Sequence, residues 1–82
     1  MKTLTQVCEL PADPRPRAKP TLLHEWPCDI PYIPEGGYLY VAGLPAAYKV
    51  YYRSVQVDEE ADTATVTYVV YDARKKPPGP SR

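Results

Sequence analysis

Phenylalanine is absent from the 82 residues, and histidine, methionine and tryptophan occur once each. A core must then be built from aliphatic residues and the eight tyrosines, whose hydroxyls need partners wherever the rings are buried. Two cysteines, Cys8 and Cys28, are too few for a disulfide framework and lack the paired spacing of a zinc site. A lone histidine, His24, rules out a His-x-x-x-His pair, and there is no Cys-x-x-Cys, no glycine-rich phosphate loop and no serine in a nucleophile elbow. A cysteine–histidine dyad would have to draw on His24, yet an alternating strand position accounts for that residue without catalysis. The acidic run at 58–62 lacks the spaced ligands and the glycine of a calcium loop. Composition therefore points away from an enzyme and calls for no metal or cofactor.

A net charge is missing too. Ten basic and ten acidic residues cancel, so the electrostatic footprint of a protein that grips a phosphate backbone is not there, which counts against nucleic acid as a partner. No apolar run approaches the ~18 residues of a membrane span, and MKTLTQVCEL lacks the apolar stretch of a secretory signal. The expectation is a cytoplasmic protein with no membrane partner.

What the chain has in excess is proline, eleven residues, eight of them before residue 46. A proline in a helix interior costs about 3 kcal/mol, so no long helix fits in that half. KTLTQVCEL alternates Leu4 and Cys8 against Thr3, Thr5 and Glu9, with Val7 on the polar side, and reads as a strand. Residues 11–20 form an exposed proline-rich loop. TLLHEW resumes as a second strand, with Leu22, His24 and Trp26 on one face. PYIPEGG is an extended connector closing in a turn, YLYVA a short strand and GLPAA a turn. YKVYYRSVQV and TATVTYVVYD are the strongest strand signals, joined by the polar loop DEEAD. Residues 73–82 read as a disordered, basic, proline-rich tail after a single β domain over 1–72.

Five strands in 82 residues, with short turns and one long early loop, predict an all-β fold, a small antiparallel SH3-like barrel or strongly bent sheet. The run IPYIPEGGYLYVAGLPAAYKVYYRSVQVDEEADTATVTYVVY, residues 30–71, resembles small bacterial and phage-encoded β proteins. It shares their proline and glycine before a strand, a turn, a Tyr-x-Val strand, an acidic turn and a Val-rich strand. That resemblance implies an SH3-like barrel and carries no activity with it.

Pairing the two long strands about Glu60 sets Val50 opposite Val70, Tyr52 opposite Tyr68, Tyr51 opposite Val69 and Arg53 opposite Thr67. One face then holds Tyr48, Val50, Tyr52, Ala64, Val66, Tyr68 and Val70 and is the predicted core. The other holds Lys49, Tyr51, Arg53, Thr65, Thr67, Val69 and Tyr71. Val55 and Val57 fall out of phase with the core: a bulge near Arg53–Ser54 would return them to the interior, and without one they would lie exposed together with Tyr51, Val69 and Tyr71 and mark an interface. Tyr51, Tyr71, Arg53, Lys49 and Val69, with Trp26 and Tyr32 from the connector region, are the candidate partner-binding residues, since tyrosine, tryptophan and arginine dominate binding hot spots. The functional expectation is a protein–protein interaction module. Self-association in a larger assembly is the second reading, and single-stranded nucleic-acid binding through Tyr51 and Tyr71 with Lys49 and Arg53 is the third.

Overall fold

The computed structural model describes residues 1–10, 19–44 and 46–74; most of the expected proline loop and basic tail lies outside the described residues. The elements are β1 (Lys2–Glu9), β2 (Thr21–Trp26), β3 (Tyr38–Leu39), β4 (Tyr48–Asp58) and β5 (Thr63–Asp72), with no helix among the described residues. None of these residues forms a helix long and apolar enough to cross a membrane.

The strands make one curled half-barrel sheet in the order β2-β1-β5-β4-β3. The expected all-antiparallel arrangement is corrected at its centre, where β1 and β5 are parallel. Placement of β2 and β3 at opposite edges explains this. The chain must cross the sheet between them, and β3 starts in the direction of β1, so two further reversals bring β5 back parallel to β1.

The crossing segment, residues 27–37, also closes the concave face. Ile30 and Ile33 pack against a core of Val7, Leu39, Tyr48, Val50, Val66, Tyr68 and Val70. Its polar groups are tied to the sheet beneath: Thr5 Oγ1 donates to the Cys28 carbonyl at 2.8 Å, and the Ile33 N–H donates to Tyr68 Oη at 3.2 Å. The segment ends in a turn in which the Gly37 N–H reaches the Pro34 carbonyl. Gly36 there has φ +82°, the positive value that position i+2 of a type II turn requires. The Gly36 N–H and Gly37 carbonyl then bond Val50 and lead the chain into β3. Gly37 has no room for a side chain: an added Cβ would sit 2.9 Å from both the Pro34 oxygen and Ile33 Cγ2. Gly37→Ala is expected to destabilise the fold by about 1–3 kcal/mol, measured by urea unfolding.

Strand β3 is shorter than the predicted YLYVA, because a turn begins at Val41, whose carbonyl accepts the Leu44 N–H. In β1 the buried face is the one carrying Val7 and Thr5, both with 0% exposure, and Leu4 and Cys8 take the other side. In β2 the register slips opposite Val7/Cys8, so Leu23 packs on the core whereas Leu22 shares the opposite face with Cys8.

The predicted bulge exists two residues earlier than expected, at Tyr51: Val50 pairs with Val70, and Tyr52 already pairs with Val69. Arg53, Val55 and Val57 thereby move to the concave side, opposite Tyr68, Val66 and Ala64, but Val55 and Val57 stay about half exposed there instead of entering the core. The same shift corrects the placement of Tyr52, which leaves the predicted core face and is exposed.

At the closed end of the core, Tyr48 lies opposite Asp72. Burial, and then the negative charges of Glu9 and Asp72, push the Tyr48 hydroxyl above its ordinary value, against a smaller lowering effect of Arg74. Burial likewise pushes the Cys8 thiol up. A raised value in the folded state means that the associated stability is complete below the ordinary range and is lost as pH rises through the raised one. The melting temperature is therefore expected to fall above about pH 10. Tyr48→Phe should shrink that fall, and an unchanged alkaline drop would place the titration elsewhere.

Candidate interaction face

The convex side of the sheet is divided along its length. Toward the β4–β5 turn it carries Thr63, Thr65, Thr67, Ser54 and Gln56, an ordinary solvated surface. Beyond Thr67 its character changes. Across four strands, Leu22, Cys8, Val69 and Tyr52 stand side by side, and next to them Tyr71, Lys49 and Tyr38 form a second row.

Five tyrosine rings cluster on these rows. Tyr51, the extra residue of the bulge, meets Tyr52 edge-on at 5.7 Å and Tyr71 at 6.3 Å. Tyr38 and Tyr40 lie stacked at 6.5 Å, with Lys49 Nζ 5.2 Å from the Tyr38 ring centre. Lys49 thus stands between the two groups. Offset and edge-on contacts of this kind are each worth about 0.5–1.5 kcal/mol and hold the rings in place. Exposure is graded: Tyr71 is half-buried, while Tyr40 keeps 75% of its surface in solvent.

The candidate residues named from sequence separate into two sets. Tyr51, Tyr71 and Lys49 come together on this face. Val69 is there as well, but only 2% exposed, enclosed by Cys8 and Tyr52 on the flanking strands and by Thr67 and Tyr71 along its own, so it is a floor under the rings. Arg53 is on the other side of the sheet, because the bulge inverts its direction. Its Nε donates to Tyr68 Oη at 3.3 Å and its guanidinium lies 5.2 Å from the Tyr32 ring centre. Trp26 belongs to that concave side too, half-buried on the core and edge-on to His24 at 4.4 Å.

Sequence reasoning missed Tyr38, Tyr40 and Tyr52 as members of the patch. For Tyr38 and Tyr40 the signal was their two-residue spacing, which puts them on one face without saying which. For Tyr52 no local signal reports where a bulge falls.

Compared with protein-family models, with curated proteins and with solved structures, the chain has no match.

Proposed function

We propose that the protein is a cytoplasmic, non-enzymatic protein-binding module of the small bacterial and phage type, and that its tyrosine face is the binding surface. The observation that carries this reading is the concentration of five tyrosines, in a contacting trio and a stacked pair with Lys49 between them, at one end of a face whose other end is mainly threonine, serine and glutamine. Tyrosine supplies large contact area at low conformational cost and a hydroxyl at its tip, which suits it to a partner's mixed surface. The five strands and curled sheet support placing the fold beside SH3-like barrels, and the parallel β1–β5 pair is where it departs from the expected antiparallel design.

Nucleic acid fits this face less well. Among the described residues Lys49 is the one cation held among these rings, and Arg53, expected to join it, faces the other way. Stacking alone, without a cationic track along the backbone, gives weak binding.

The test is capture from the native host with mass-spectrometric identification, repeated with Tyr38→Ser/Tyr40→Ser. Both side chains are exposed, so thermal unfolding should be nearly unchanged. Losing one hot-spot aromatic costs about 2 kcal/mol or more, so the partner identified should bind the double variant at least about 30-fold more weakly. Equal affinity for both proteins would reject the face. Salt-sensitive micromolar binding of a labelled oligonucleotide would instead favour the nucleic-acid reading.

A further inference from the structure

Strand β4 is paired with β5 over its whole length, but on its other side only Tyr48, Lys49 and Val50 meet β3 and the Gly36–Gly37 turn. From Tyr52 to Asp58 that second side faces no strand among the described residues, and half of the backbone N–H and C=O groups there point outward in an antiparallel ladder.

Exposed edges are ordinarily blunted by proline, lysine, bulges or brevity. The β2 edge has such devices: it is six residues long, follows Pro20, precedes Pro27 and carries the slip at Leu23. In the 52–58 edge the protective charges stand only at the two ends, Arg53 and Asp58. It contains no proline, glycine or lysine, its bulge lies before it at Tyr51, and its one arginine is drawn onto the concave face over Tyr32. Val55 and Val57, beside the edge on that face, are 50% and 53% exposed despite lying opposite Val66 and Ala64. The crossing segment ties down the other end of the concavity, at Thr5, Tyr68 and Val50.

We propose that residues 52–58 pair antiparallel with the same strand of a second copy of this chain, about a two-fold axis at Val55, giving one continuous sheet through the dimer. Opposed residues in an antiparallel pair share a face. Val55 then meets the Val55 of the second copy, and Val57 meets the stem of Arg53. Charge selects this direction. Arg53 stands near one end of the edge, and Asp58 with the turn residues Glu59 and Glu60 stands at the other. Antiparallel pairing brings the cation toward the partner's acidic turn, whereas parallel pairing would set like charge beside like. An isologous two-fold contact closes on itself, so the edge is consumed by the dimer and no longer templates growth. This inference uses the edge and the concave face and does not depend on the role of the tyrosine surface.

Sedimentation equilibrium of the full chain from about 10 μM to about 1 mM tests it. The expected result is a reversible monomer–dimer equilibrium that V55K weakens by about tenfold or more, because two ammonium groups would then oppose each other at the axis. V55K should keep the far-ultraviolet circular dichroism of the native sheet, since Val55 is half exposed. Amide hydrogen exchange of the unaltered protein gives an independent reading that no variant can confuse: protection within 52–58 should increase with protein concentration, and β2 should not follow. A protein that stays monomeric to millimolar concentration, a dimer indifferent to V55K, or exchange in 52–58 independent of concentration would each overturn the proposal.

Discussion

Tyr68→Ala is expected to abolish cooperative unfolding. Tyr68 is 1% exposed in the middle of the core, and truncation of a buried large aromatic costs about 3–5 kcal/mol. Natural domains hold about 5–15 kcal/mol in total, and a chain of this size buries too little surface to stand high in that range. The hydroxyl has a separable role. It accepts the Ile33 N–H and Arg53 Nε at once, so one oxygen on β5 anchors both the crossing segment and β4. Tyr68→Phe keeps the ring and removes that oxygen, leaving a part-buried N–H without its acceptor at a cost of about 1–3 kcal/mol. Differential scanning calorimetry should place the two variants in this order. Hydrogen exchange at Ile33 should quicken in Tyr68→Phe by more than the global change explains. If Ile33 exchange merely tracks global stability, the hydroxyl does not hold the crossing segment.

Val7→Asp is expected to leave the chain unfolded at neutral pH, whereas Leu4→Asp yields a folded protein of reduced stability. Val7 has 0% exposure, in a central strand between His24 and Tyr68. A carboxylate there is withdrawn from water, and the effective penalty for burying a charge is several kcal/mol. Leu4 is half-buried on the convex face among residues that include Thr65, where water still reaches. Circular dichroism and urea titration of the pair decide which face of β1 is the core. Comparable damage from both changes would mean that the strand is enclosed on both sides.

That comparison marks the limit of what a two-residue alternation conveys. In β1 the alternation suggests Leu4 and Cys8 as the buried set, and the buried face is instead the one with Val7 and Thr5. Alternation identifies a core face only when the other face is wet. Here β1 and β5 occupy the middle of the sheet and carry apolar residues on both sides, as Val66, Tyr68, Val69 and Val70 in β5 make plain. What was legible depended on local pattern: five strands in nearly their observed places, the β4–β5 hairpin, the closing turn before Tyr38, and the case for a bulge in β4. What was illegible depended on long-range placement. The direction of β1 against β5 follows from the crossing segment rather than from either strand. The bulge falls at Tyr51 and not at Arg53–Ser54, directly after Val50, whose backbone is bonded to the Gly36–Gly37 turn. That shift of two residues decides that Tyr52 joins the tyrosine face and that Arg53 leaves it.

The parallel pairing at the centre of the sheet has a kinetic consequence. Lys2 lies beside Thr63 and Glu9 beside Val70, so this ladder joins positions about sixty residues apart, and closing so large a loop must precede any reward from its hydrogen bonds. Both hairpins can form while β1 waits for β5, which leaves the ribosome well after it. During that interval the apolar flanks of β1 and β5 are open to other chains. Refolding is therefore expected to be slow for a protein of this size, and yield on dilution from urea should fall as protein concentration rises.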